Sequence, residues 1–169
     1  MNRLIWPLVA LMALSTSGCS DDESAPTGPP MCPDFDPTVK YDKPPDAASR
    51  TFWNKCIPQD LGEAGYHPIE KPALIVKLKD SRKMMQLKFS VMTQHDFFAL
   101  RRLATHDQAL RAAFTERMLQ VTEEETRDPT FRDKFRVELK VIANDVIKQI
   151  ENYDFDIVGQ VLITSYVVE

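Results

Sequence analysis

Two stretches in the second half of the chain alternate between apolar and polar positions. In the stretch from Lys83 to Thr93, every second residue from Met85 to Val91 is apolar, and the residues between these, Gln86, Lys88 and Ser90, are polar. A period of two over this length predicts a strand with one buried face. A shorter strand is predicted from Ala73 to Lys79, and the polar link Asp80-Ser81-Arg82 predicts an antiparallel hairpin between the two strands. The apolar positions of the longer strand are Met85, Leu87, Phe89 and Val91.

Three stretches after the hairpin have the spacing of amphipathic helices. The first runs from Asp96 to Ala104 and the second from Asp107 to Val121, with apolar residues three or four positions apart. The third begins at Asp128-Pro129, because Asp is a favourable N-cap and Pro suits the first helical position. Its apolar stripe is Phe131, Phe135, Leu139, Ile142, Val146 and Ile150.

The chain ends with a predicted strand from Phe155 to Val168. Both faces of this strand are partly apolar, which favours a central position in the sheet with helices covering it. The order is therefore strand, strand, three helices, strand. This order predicts an α+β fold, in which helices pack on a small antiparallel sheet.

The N-terminus has the pattern of an export signal. Leu4 to Leu14 is an apolar run of eleven residues, whereas a helix that spans a bilayer needs roughly 20. We therefore assign residues 1–18 to a signal peptide. The small residues before Cys19 resemble a bacterial lipobox, which predicts that Cys19 is acylated and anchors the protein to a membrane.

Two features of this region leave alternatives open. Cleavage near Ser17 without acylation would give a soluble periplasmic protein. Ser20 follows the candidate lipidated residue at a position where lipoproteins retained in the inner membrane often carry Asp. The outer membrane is therefore favoured over the inner membrane.

Residues 19–71 form a predicted Pro-rich tether, because ten of the twelve prolines lie between Pro26 and Pro72. The tether contains Cys32 and Cys56, and an exported compartment is oxidising, so the two are a disulfide candidate rather than free thiols. Phe52-Trp53 also lies there and suggests that part of the segment packs on the domain or contacts a partner. The folded domain is assigned to residues 72–169.

Composition and motifs argue against most chemical functions. The net charge is −4, which does not suit a nucleic-acid-binding protein. The five glycines form no phosphate-binding loop, and the three histidines show no metal-ligand spacing. We therefore expect no enzyme activity, no cofactor and no metal. Charged residues off the apolar stripes suggest an assembly surface instead: Arg101, Arg102 and Arg117.

Several local signatures in the folded part resemble those of the FliL family of flagellar basal-body-associated proteins. Tyr66-His67-Pro68-Ile69-Glu70 followed by Ala73 to Leu78 is similar to the opening of the family's domain. Leu110-Arg111 and Phe135-Arg136-x-Glu138 resemble motifs in its helices. The final segment, Val161 to Glu169, is similar to the family's terminus.

The resemblance implies a fold similar to the stomatin/prohibitin-like domain. It also implies a homo-oligomer that contacts the stator or other basal-body proteins and supports motility or swarming. Family members normally reach the periplasm on an N-terminal transmembrane helix, whereas this chain has a lipoprotein-like signal. A FliL-like envelope lipoprotein with a structural role unrelated to flagella is the alternative.

Overall fold

The computed structural model describes residues 31–32, 56–152 and 154–169. Three strands and four helices lie in these ranges. The signal peptide, Cys19 and Phe52-Trp53 lie outside the described residues. The elements are β1 (Asp60–Lys77), β2 (Met84–His95), α1 (Phe97–Thr105), α2 (Asp107–Leu119), α3 (Glu123–Arg127), α4 (Phe131–Glu151) and β3 (Gln160–Val168).

The three strands form one antiparallel sheet in the order β1-β2-β3. The predicted hairpin is confirmed, with Leu74 opposite Leu87 and Val76 opposite Met85. The predicted face of β2 is fully buried at Met85, Leu87, Phe89 and Val91, and the helices pack against it. The α+β class and the small antiparallel sheet are therefore confirmed.

The sheet differs from the prediction in three ways, and the smallest is that β3 begins at Gln160 rather than Phe155. β1 begins at Asp60 rather than Ala73, so residues 60–71, which we assigned to the tether, are in the sheet. Pro68 and Pro72 indicated a break, but β1 lies at an edge, where a missing N–H can be tolerated. β3 was predicted to be central and is the opposite edge strand; its partly apolar outer residues misled the prediction.

The helical region contains one more helix than predicted. Glu123–Arg127 forms a short helix that begins with a capping box, in which Thr122 and Glu125 bond each other's backbone N–H. The long helix then begins at Phe131 instead of Asp128. Asp128 accepts a hydrogen bond from the Thr130 N–H at 2.8 Å, so it orders the turn before the helix.

Asn144 fixes the connection from α4 to β3. Its side chain is buried, and its Oδ1 accepts hydrogen bonds from the N–H groups of Ile157 and Val158 at 3.1 and 2.9 Å. Its Nδ2 donates to the Val158 carbonyl at 3.1 Å. One side chain therefore satisfies three backbone groups of a segment that has no regular secondary structure.

Cys32 and Cys56 are joined by a disulfide in the structure, with their Cα atoms 4.7 Å apart. Both are buried against Phe98 of α1. The Cys32 N–H donates to the Ile57 carbonyl at 2.8 Å, and the Gln59 side chain donates to the Cys32 carbonyl at 3.0 Å. The bond therefore joins a distant part of the predicted tether to the start of the domain.

We predict that Asn144→Leu destabilises the domain, because three buried backbone groups lose their partner at about 1–3 kcal/mol each, not fully additively. Thermal unfolding measures the loss, and hydrogen exchange at the Ile157 and Val158 amides locates it. Gln149→Leu is the matched control, since Gln149 is exposed on the same helix. Equal stability of the two variants would show that the Asn144 bonds contribute nothing.

We predict that Cys32 and Cys56 are bonded to each other in the mature protein isolated from cells. In the chain-entropy model, a loop of this size stabilises the folded state by roughly 3 kcal/mol. Peptide mapping without reductant measures the pairing directly, and reductant should lower the unfolding temperature. Two free thiols in protein from the periplasm would contradict the prediction.

Candidate interaction surface

Arg102 does not lie on an exposed helix face, and this part of the predicted assembly surface is wrong. Its side chain is only 4% exposed, and its Nη2 donates to the Cys56 carbonyl at 2.6 Å. The apolar spacing of Phe97, Leu100 and Leu103 indicated one buried face, but the helix is rotated from it: α1 buries Phe98, Ala99 and Arg102 together with Leu103. Arg102 therefore joins α1 to the disulfide segment.

Arg117 joins α2 to α4. Its Nε and Nη2 contact Glu138 Oε2 at 2.8 and 2.7 Å, and its guanidinium lies 5.2 Å from the centre of the Phe135 ring. A weaker contact at 3.8 Å reaches Glu125 of α3. Charge reversal at Arg117 would therefore change the packing of the helices as well as the surface charge. Arg101 is half-buried, and an assembly role for Arg101 and Arg117 stays a prediction.

A groove of about 540 Å³ lies between α2 and α4 beside Arg117. Its apolar floor and charged rim could receive a side chain of a partner protein. Two carboxylates, Glu116 and Asp145, are among its lining residues, and the lining contains no Ser, Thr, Cys or Lys side chain that could act as a nucleophile. The lining residues are Ala113, Glu116, Arg117, Gln120, Ile142, Asp145, Val146 and Gln149.

A second groove, of about 290 Å³, lies between α4 and the beginning of β3. Val137 of α4 and Val161 of β3 line it. Val137 is 65% exposed, and Val141, one turn further along the helix, is 55% exposed. This side of α4 therefore carries apolar surface that the described part of the domain leaves open to solvent.

His67 belongs to a network between β1 and α2. Its Nε2 lies 2.9 Å from Asp107 Oδ1, and Arg111 Nε donates to Asp107 Oδ2 at 2.7 Å. Burial raises the pKa of Asp107, but the hydrogen bonds from His67 and Arg111 outweigh it, so the pKa is lowered. These contacts hold the edge strand β1 against α2.

His106 forms a comparable pair with Glu151 at the end of α4. His106 occupies the N-cap position of α2, but its side chain makes no capping hydrogen bond and pairs with Glu151 instead. The sequence did not reveal the carboxylate partners of His67 and His106, because these lie about 40 residues away along the chain. Within the described residues, no group of three or more His, Cys, Asp or Glu side chains could hold a metal ion.

None of the helices in the described ranges is both long enough and apolar enough to cross a membrane. Residues 68–168, which are more than half of the chain, match the family described as flagellar basal body-associated protein FliL. The match begins near the middle of β1 and covers the rest of the sheet and all four helices. No curated protein matches the chain significantly. The chain therefore belongs to the FliL family of flagellar basal body-associated proteins.

Proposed function

We propose that this protein is a non-enzymatic accessory of the flagellar motor that contacts stator or other basal-body proteins from the periplasm and supports motility or swarming. The observation that carries the proposal is the family match, which extends over nearly the whole described domain. The geometry supports a binding role, since the grooves beside α4 offer apolar surface next to charged side chains. Self-association is part of the proposal.

Side-chain contacts between elements support a rigid module that presents fixed surfaces. Arg117 joins α2 to α4, and the Asp107 network joins β1 to α2. Glu123 of α3 accepts a hydrogen bond from Ser81 and pairs with Lys83, so the hairpin is held as well; these contacts lower its pKa to about 2. A carboxyl group whose pKa is lowered on folding stabilises the folded state when the pH is above the ordinary pKa of about 4.5. The contacts of Glu123 therefore contribute in full at neutral pH, and their contribution is lost as the pH falls towards 2.

We also propose that acyl chains on Cys19 anchor the protein to a membrane, with the outer membrane favoured over the inner membrane. Support comes from the lipobox-like residues before Cys19 and the short apolar run. This anchor would differ from the family's usual transmembrane helix. A lipid anchor would favour one alternative function, that of an envelope lipoprotein with a structural role unrelated to flagella. Genes for flagellar proteins beside this gene would argue against that alternative.

We predict that deletion of the gene reduces swimming or swarming and leaves filament assembly largely intact. An accessory of the stator affects torque, so the loss should be greatest in viscous medium. Tracking of cells and electron microscopy of filaments measure the two effects, and expression of the wild-type chain is the control. Normal motility under viscous load would contradict the motor role.

We predict that Cys19→Ser releases the protein into the soluble periplasmic fraction and abolishes labelling by a fatty-acid analogue. The acyl chains supply the attachment, at ~0.8 kcal/mol per buried CH₂. Ser20→Ala is the matched control and should stay labelled and bound to the membrane. If the wild type is unlabelled and soluble, the lipid anchor is absent. If Cys19→Ser remains on the membrane, residues 4–14 are an uncleaved anchor.

A further inference from the structure

The helices pack on one face of the sheet, and the other face is open to solvent in the described part of the domain. Successive residues of a strand point to opposite faces, so the buried positions of β2 place the residues between them on the open face. One row crosses all three strands there, since Ile75 lies opposite Gln86 and Gln86 lies opposite Val167. Ile75 and Val167 are 56% and 41% exposed, so the row is one surface with apolar ends.

The rows on either side of this one carry basic side chains. Lys77 lies opposite Met84, which is 40% exposed, and Lys88 lies opposite Ser165. The end of the hairpin adds two exposed cations. We call the resulting surface the basic face, and its residues are Ile75, Lys77, Lys79, Arg82, Lys88 and Val167.

The charge of this region is opposite to that of the chain as a whole. Residues 74–95 contain five basic side chains and one acidic one, whereas the net charge of the chain is −4. Lys83 pairs with Glu123, and the other four cations form no ion pair with any described residue. Two acidic side chains lie near them, Asp80 in the loop and Glu169 opposite Met84. The basic face therefore carries an excess of positive charge.

This combination of side chains matches the chemistry of an anionic lipid surface. Exposed apolar patches mark sites where a protein or a membrane binds. Here aliphatic side chains alternate with long basic ones. An aliphatic side chain can enter the headgroup region, while a lysine beside it extends its ammonium group to the lipid phosphates.

The proposed lipid anchor would keep the domain close to such a surface. Cys32 is bonded to Cys56, and its N–H donates to the Ile57 carbonyl at 2.8 Å, so the preceding chain is held to the domain at this point. Met31 is twelve residues after Cys19. Because an extended chain advances about 3.3–3.6 Å per residue, this segment spans at most ~40 Å.

We propose that the basic face binds the anionic phospholipid surface of the membrane that carries the anchor. Ile75 and Val167 enter the headgroup region, and Lys77 and Lys88 meet the lipid phosphates. The inference rests on the lipid anchor of the proposed function and adds a second contact to it. Because this contact is reversible, it does not hold the protein in the membrane fraction when the acyl chains are absent.

The tether and the hairpin loop lie at opposite ends of the sheet. Asp96 follows β2 and exchanges hydrogen bonds with Gln59, so the disulfide segment lies at the end of the hairpin that is away from its loop. A domain held by the tether and by the basic face therefore lies with its strands along the membrane. The groove between α2 and α4 then faces away from the lipid, where a protein partner can reach it.

Binding of the mature chain to vesicles tests the basic face without the lipid anchor. The chain carries Cys19→Ser, so it has no acyl chains, and it keeps the disulfide. Lipid is raised to the millimolar range, which matches the effective concentration that a short tether provides. Co-sedimentation should show binding to phosphatidylcholine mixed with phosphatidylglycerol and little binding to phosphatidylcholine alone, and salt should weaken it. Equal binding to both vesicles, or binding to neither, would overturn the proposal.

Two double variants show whether the basic face is responsible. Lys77→Gln with Lys88→Gln should lower the partition coefficient at least about tenfold, because two cations leave the interface. Lys134→Gln with Lys140→Gln removes the same charge from α4 and should leave binding almost unchanged. The two pairs are matched, since each contains one exposed and one half-buried lysine. Circular dichroism checks that both variants fold, and equal losses in the two would overturn the proposal.

A polarity-sensitive dye shows which surface enters the lipid. The native cysteines are bonded to each other, so the dye reacts with an added thiol. On Ile75→Cys its emission should shift to the blue when anionic vesicles are added. Leu119→Cys is the matched control, because Leu119 is 48% exposed on α2 and should show no shift. A shift at Leu119 without one at Ile75 would overturn the assigned face.

The outcomes separate this inference from the lipid anchor. Vesicle binding that requires Lys77 and Lys88 supports the basic face, whether or not the wild type is labelled by a fatty-acid analogue. A labelled wild type whose Cys19→Ser form binds no anionic vesicles overturns the basic face, while the anchor stands. In that case an acidic surface of a partner protein is the occupant that the charge of the face still favours.

Discussion

The structure depends on the burial of one face of β2. Met85, Leu87, Phe89 and Val91 are fully buried, and Phe89 contacts Phe114 of α2 edge to face with ring centres 5.2 Å apart. Each fully buried side chain of this kind contributes roughly 1.5–3 kcal/mol. Because β2 pairs with both other strands and carries the face against which the helices pack, its alternating sequence places every other element of the domain.

This arrangement determines which surfaces remain available for binding. The edges of the sheet belong to β1 and β3, and the outer sides of α2 and α4 face solvent. Charged side chains such as Arg117, Asp107 and Glu123 largely bond to neighbours within the domain, so they hold its elements together. Three surfaces of the described domain carry apolar or uncharged residues where a solvated surface is usually charged: the two grooves beside α4 and the outer edge of β3.

The sequence predicted the elements whose stability comes from a regular apolar pattern. The hairpin and the first half of α4 follow from periods of two and of three to four residues, and their buried faces agree with those periods. In the second half of α4 the predicted stripe is wrong: Ala143, Asn144 and Ile147 are buried there, whereas the predicted Ile150 is 50% exposed. β1 was predicted too short, because the prolines that usually end a strand are tolerated at an edge. Whether a strand lies at an edge or in the centre depends on which strands pair with it, and the sequence of one strand does not show this. For that reason the central position predicted for β3 was wrong.

The interaction surface was harder to predict because it depends on contacts between distant residues. Arg102 looked like a surface residue on its helix and is buried against a disulfide segment 46 residues earlier. The partners of His67 and His106 likewise come from other elements. The FliL resemblance could be recognised from short motifs, since these lie on the strands and helices that form the core, and the family match confirms it.

The central claim, a role at the flagellar motor, is tested most directly by the position of the protein in living cells. A fluorescent tag on the full chain, imaged together with a labelled basal-body component, measures this. The account predicts fluorescent foci that coincide with basal bodies and that disperse when the motor is not assembled. A uniform distribution around the envelope that is unaffected by loss of the motor would contradict the claim.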